Sequence, residues 1–259
     1  MEIIHSFEVI TVILVGLIMG SFYNVIIFRL PREISIVFPR SKCPYCKHII
    51  PWYYNIPVLS FIILGGKCHY CGKPISVRYP IVESLTALLF YFSFIKFGLT
   101  MAFAAAIVFG SIFFILFWTD IDTRILPDEL TIGGSVLAII YSFFRPDLSC
   151  KLALIGALIG FLIFIGSYLF FLKVKKKEGL GWGDIKLIIL IGALFGPYKM
   201  LLIIILSSLL GILIWGIIAM IFKKGREYEL PFGSFLGLVS LIFLFYGDKI
   251  IVAYNNLLL

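Results

Sequence analysis

Two short segments carry the acids that could do chemistry. Residues 117–131 read FWTDIDTRILPDELT and hold Asp120, Asp122 and Asp128. Residues 179–186 read GLGWGDIK and set Asp184 behind Gly181 and Gly183, with Lys186 two places on. Each segment lies at the edge of an apolar run, where an unpaired charge is costly and an acid marks function by default. Two carboxylates brought within a few ångströms cannot both stay ionised, so they share a proton. One then activates water as a general base while the other protonates or holds a substrate carbonyl. That is peptide hydrolysis with neither metal nor covalent intermediate. The glycines before Asp184 permit close backbone approach, leaving room for an extended chain beside the acids. A plainer reading makes Asp120 and Asp184 helix caps paired with Arg124 and Lys186. The residues alone also leave Asp120, Asp122 and Asp128 as three candidates for the first acid.

A second constellation is Cys43-x-x-Cys46 and Cys68-x-x-Cys71, separated by 21 residues. Two such knuckles bring four thiolates onto a tetrahedral zinc ion. Two disulfides are the alternative, which a reducing cytoplasm opposes. Four thiolates leave no open coordination position, so this zinc is expected to be structural, stapling a loop too small to bury a core of its own. His48 and His69 beside the knuckles read as loop residues, and Cys150 as a small apolar residue at a helix end.

The elements that must position these groups are membrane helices. The 259 residues are 61% hydrophobic and only 14% charged, and mean hydropathy is +1.10. Apolar stretches approaching or exceeding the ~18–20 residues needed to cross a bilayer recur along the chain. The spacing predicts an all-α polytopic membrane protein of about eight transmembrane helices, roughly 5–28, 80–97, 101–119, 129–145, 151–172, 185–197, 199–222 and 232–254. A small cytoplasmic zinc-binding loop domain is expected between the first two. Residues 7–28 have no basic stretch before them and no small-residue cleavage pattern after them, so a cleaved signal peptide is not expected. Placing the first loop in the cytoplasm puts seventeen of the 22 Lys and Arg on that side, which sets both termini outside it. Asp120 and Asp184 then share the cytoplasmic face. The net charge of +8 thus reads as membrane orientation, and no nucleic-acid partner is expected. Lys173–Lys177 and Lys223, Lys224 and Arg226 read as anchors on anionic lipid, and Trp52, Tyr53 and Tyr54 as an interfacial patch. Gly156 and Gly160 form a GxxxG spacing suited to helix packing.

The sequence resembles the type IV prepilin peptidases, polytopic membrane aspartic proteases of the GxGD kind, over nearly its whole length. Gly20-Ser21-Phe22-Tyr23-Asn24-Val25 with Arg29-Leu30-Pro31 resembles the family's N-terminal signature. The cysteine pairs resemble its zinc loop. Asp120-Ile121-Asp122 with Ile125-Leu126-Pro127-Asp128 resembles its first aspartate motif, and Gly181-Trp182-Gly183-Asp184 with Lys186 its second. The resemblance implies catalytic roles for Asp120 and Asp184, supporting ones for Asp122, Asp128, Gly181, Gly183 and Lys186, and zinc on Cys43, Cys46, Cys68 and Cys71. It implies a bacterial cytoplasmic (inner) membrane protein whose substrates are type IV prepilin or pseudopilin precursors with a basic leader, cut at the cytoplasmic face. It further implies a second activity, methylation of the new N-terminus with S-adenosylmethionine, for which Asn24, Arg29 and Glu83 are the candidate residues. The expected division is a first helix at 1–28, a zinc-binding domain at 29–79 linked to methyl transfer, and a membrane peptidase domain at 80–259.

Two rivals share some of these features. A proton-coupled transporter also uses intramembrane acids and glycine-broken helices, but it tends to place its acids mid-span in mirrored halves. An intramembrane protease of the presenilin or signal-peptide-peptidase type shares GxGD, yet usually carries Tyr-Asp where this chain has Thr119-Asp120, and lacks the four-cysteine loop.

Overall fold

A computed structural model of the protein describes residues 2–175, 181–222 and 231–258. The expected anchors Lys176, Lys177, Lys223, Lys224 and Arg226 lie outside the described residues. The described chain is helical: α1 (Glu2–Arg29), α2 (Leu59–Ile63), α3 (Arg78–Phe97), α4 (Met101–Thr123), α5 (Asp128–Ser142), α6 (Cys150–Lys175), α7 (Trp182–Phe222) and α8 (Phe232–Leu258). Pairing between extended segments is limited, among the described residues, to two isolated antiparallel bridges, Lys42 with Ile49 and Lys67 with Pro74. Six helices are long and apolar enough to cross a membrane: α1, α3, α4, α6, α7 and α8. The fourth expected span forms as α5, but its 15 residues are fewer than the ~20 a perpendicular crossing needs. The sixth and seventh expected spans both lie in α7, which is broken at Gly196 (φ 74°, ψ 173°), just before Pro197. Proline cannot donate its missing N–H, and glycine tolerates the left-handed φ of the break. Arg145 closes the gap by donating from Nη1 to the Leu194 carbonyl at 2.6 Å.

The chain divides into two compact units, Met1–Ser111 and Ile112–Leu259, with the boundary inside α4. In the first unit α1 packs on α3 through small residues. A Cβ at Gly16 would sit 2.8 Å from Ala87 Cα, and one at Gly20 only 2.6 Å from Glu83 Cα. Lipid tails are as apolar as leucine, so close van der Waals packing of this kind, and not burial from water, holds such helices together. Tyr23 adds a buried hydrogen bond to Ser111 Oγ at 2.6 Å.

In the second unit α7 packs against α5, α6 and α8. Its seam with α6 is nearly backbone on backbone, since a Cβ at Gly192 would meet Gly156 O at 2.3 Å. Ile185, Leu187, Ile188, Leu190 and Ile191 of α7 are fully buried. An all-round apolar surface of this kind suits a central helix. α4 ends where Arg124 turns left-handed (φ 56°) and donates its N–H to Asp120 O. The chain then doubles back through Leu126 and Pro127, both buried, into the first turn of α5, whose Asp128 and Glu129 suit a helix N-terminus.

Candidate active site

Three helix ends meet in the second unit. Asp120 lies on the last turn of α4 and is 5% exposed. Asp184 lies on the first turn of α7, its N–H donating to Gly181 O at 3.1 Å, so Gly181 starts the helix. The third end is the start of α8, whose part in the site sequence reading missed. A Cβ placed on Gly233 would lie 3.1 Å from Asp120 Oδ2 and 3.1 Å from Asp184 Oδ1. Those two oxygens are therefore no more than twice that distance apart, across a space kept open by a missing side chain. Leu126 supplies the floor: its Cβ would lie 3.0 Å from a Cβ on Gly183, and its Cδ1 2.8 Å from one on Gly233. Each glycine thus makes room for the turn beneath, and the two acids face one another over it.

Ser234, next along α8, binds the first acid directly. Its backbone N–H donates to Asp120 Oδ2 at 2.6 Å, and its hydroxyl lies 2.9 Å from the same oxygen and 3.2 Å from Phe117 O. A hydroxyl has one proton to give, and the shorter contact is to the carboxylate. The sequence signal was Pro231-Phe232-Gly233-Ser234 opening the last apolar run, a helix-start pattern that gives no hint of a partner 114 residues away.

The other acids separate from this pair. Asp122 is exposed. Asp128, also exposed, pairs with Lys186 through Nζ and Oδ1 at 2.6 Å, tying α5 to α7. Above Gly181, the half-exposed Trp182 sets its ring 5.3 Å from that of Tyr168. Asp120 and Asp184 are thus the two acids that converge, with the geometry of an acid–base pair.

The four cysteines form a second site, within the first unit. Their sulfurs all lie within 4.8 Å of one another, and Cys43 and Cys71 are 3.9 Å apart. A tetrahedron with metal–sulfur bonds of ~2.3 Å has edges of ~3.8 Å, so the cluster could hold a metal ion with little movement. The knuckles repeat at an offset of 25 residues, down to their backbone bonds: Cys43 N–H to His48 O at 3.0 Å matches Cys68 N–H to Lys73 O at 2.8 Å, and Ile50 N–H to Ser41 O matches Ile75 N–H to Gly66 O. Lys47 and Gly72 take the same left-handed turn, φ 60° and 67°. His48 and His69 set their rings against those of Tyr70 and Tyr54 in tilted contacts, centroids 3.7 and 4.8 Å apart.

The candidates for methyl transfer also lie in the first unit. Asn24 Nδ2 donates to Gly20 O and Tyr79 O, at 3.3 and 3.2 Å, the second bond joining α1 to α3. Arg29 is not a free interfacial cation, since its guanidinium holds the carbonyls of Ser35 and Pro39 at 2.9 and 2.7 Å. Glu83 is buried, and its Oε2 accepts the Val58 N–H at 2.7 Å.

Comparison with known proteins identifies the family. Residues 14–97 match the bacterial peptidase A24 N-terminal domain, and residues 107–216 the type IV leader peptidase family. A prepilin leader peptidase/N-methyltransferase of Myxococcus xanthus is 41% identical over 211 residues, 82% of this chain and 62% of that protein, so the match spans less than two thirds of its length. One of Pseudomonas aeruginosa is 34% identical over 269 residues, 95% of this chain and 93% of the relative. One of Bacillus subtilis is 34% identical over 244 residues, 94% and 96%. No solved structure matches the chain. A pair of aspartates converging on helix ends, a four-cysteine module and relatives aligned almost end to end place this multi-pass membrane protein in one group: the chain belongs to the type IV leader peptidase family.

Proposed function

We propose that the protein is a bifunctional membrane enzyme. It removes the leader from type IV prepilin or pseudopilin precursors through Asp120 and Asp184, then methylates the new N-terminal amine. The observation that carries the peptidase reading is the approach of both carboxylates to the one empty position at Gly233. A water held there is within reach of either acid. One carboxylate takes its proton as the oxygen attacks the scissile carbonyl, and the other gives a proton to the carbonyl oxygen. Gly181 lets an extended leader lie against the start of α7, Gly183 admits the Leu126 turn beneath the acids, and the Asp128–Lys186 pair ties α5 to α7. The relatives' names favour this reading over a proton-coupled transporter.

Sidedness follows from charge. With the basic loops in the cytoplasm of a bacterial cell, the dyad opens at the cytoplasmic face of the inner membrane and both termini lie on the other side. The four-thiolate set suits zinc, which with no open position serves as a staple for residues 29–79. S-adenosylmethionine supplies the methyl group when bound. Glu83 offers a buried carboxyl group, Asn24 holds the carbonyls of Gly20 and Tyr79 near it, and Arg29 orders the chain after α1 through the carbonyls of Ser35 and Pro39. Catalytic and metal-binding roles are thereby assigned to separate units of the chain.

The test is a mass spectrum of a model type IV prepilin incubated with the purified enzyme and S-adenosylmethionine. Loss of the leader with one added methyl on the mature N-terminus is expected. Leader loss without methylation would remove the second activity, and an uncut substrate across several pilins would overturn the peptidase.

A further inference from the structure

The two aspartates are not held alike. Asp120 Oδ2 takes two donors from one residue, the Ser234 N–H at 2.6 Å and hydroxyl at 2.9 Å, on the first turn of α8. Backbone N–H groups in the first turn of a helix have no partner within it, and they favour negative charge. Hydrogen bonds given to a carboxylate favour its charged form, and two on the oxygen beside the Gly233 space also fix how the carboxylate sits there. Among the described residues, the charged or titratable groups acting on Asp120 are Asp184, across the Gly233 space on α7, and Arg124, just past the end of α4. Among the described residues, α8 brings Gly233 and Ser234 to it, neither of them titratable.

We infer that Ser234 is a positioning residue that holds Asp120 as the ionised, water-activating member of the pair and leaves the shared proton on Asp184. This rests on the peptidase reading above. In the step it implies, water loses a proton to Asp120 as its oxygen bonds to the scissile carbon, and the carbonyl oxygen takes the proton of Asp184. When the carbon–nitrogen bond breaks, Asp120 passes its proton to the leaving amine. One hydroxyl proton of the intermediate returns to Asp184 as the carboxyl product forms, so both acids end as they began.

The substitutions separate the two donors. Ser234→Ala removes the hydroxyl and keeps the N–H. Ser234→Pro removes both, at a first-turn position where proline is accepted. Ser234→Thr keeps both. Full-length variants in detergent are assayed for prepilin cleavage as a function of pH, with thermal unfolding measured alongside. A hydrogen bond to a charged group is worth about a factor of ten, so Ser234→Ala should cut kcat about ten-fold and move the acid limb of the profile about one pH unit toward neutral. Ser234→Pro should move it further, and Ser234→Thr should restore the wild-type profile. An Ala profile that superimposes on wild type, at full or reduced kcat, would overturn the inference, as would a Thr variant that behaves like Ala. Asp120→Asn and Asp184→Asn run in the same assay, and if both cut normally it is the peptidase reading, not the role of Ser234, that has failed.

Discussion

Lys186 Nζ lies 2.6 Å from Asp128 Oδ1, and this contact separates the acids that the first motif offered together. Asp128 is committed to a cation on the next helix, with 57% of its side chain exposed. An exposed pair of this kind contributes about 0–1 kcal/mol. Asp128→Asn and Lys186→Met should therefore lower cleavage several-fold at most, and a double-mutant cycle on thermal stability should give a coupling below about 1 kcal/mol. Asp122→Asn should behave as mildly, because its side chain is exposed.

Gly233 should tolerate nothing larger. A Cβ there falls 3.1 Å from an oxygen of each aspartate and 2.8 Å from Leu126 Cδ1. The leucine terminus can shift, so Gly233→Ala should fold, losing no more than the ~1–3 kcal/mol of an overpacked core. The reaction space cannot shift, so cleavage should fall by at least about a hundred-fold. Activity and unfolding temperature measured on one preparation check both halves.

The cysteine module should carry one metal ion. Elemental analysis of the purified chain should find one zinc per protein, and Cys43→Ser or Cys68→Ser should abolish it. Because structural metal binding is folding energy, these variants should expose residues 29–79 to protease while the wild type resists. If methyl transfer lies in the first unit, it should fall before leader cleavage does.

Gly156 and Gly192 set the spacing of α6 and α7, with 2.3 Å between the carbonyl oxygen of either and a Cβ on the other. The obstacle is backbone, which cannot step aside. Gly192→Ala should cost about 1–3 kcal/mol, read as a lowered midpoint in detergent unfolding, and should displace Asp184, eight residues back along the same helix.

Much of the fold was legible because membrane helices announce themselves by length and hydropathy. The boundary between the expected spans 185–197 and 199–222 falls at the break in α7 beside Gly196 and Pro197. The acids of α4 and α7 stood out because charges are rare in such a chain. Local turn chemistry was harder to read. The short α2 and the grip of Arg29 on Ser35 and Pro39 depend on how residues 29–79 fold back, which no period in the sequence records. Ser234 and Gly233 were invisible for a different reason. A serine and a glycine at the start of an apolar run look like ordinary helix-start residues, and only the arrival of α8 beside α4 and α7 makes them part of the site.

The most direct measurement is the rate of prepilin cleavage by the wild type, Asp120→Asn and Asp184→Asn, each full-length and reconstituted in liposomes. An acid–base pair predicts that either substitution alone lowers the rate by about a thousand-fold or more, with unfolding temperatures near wild type, and that the double variant is little worse than either. A single variant that keeps cutting within about ten-fold of wild type would show that its carboxylate does not take part, and would contradict the account.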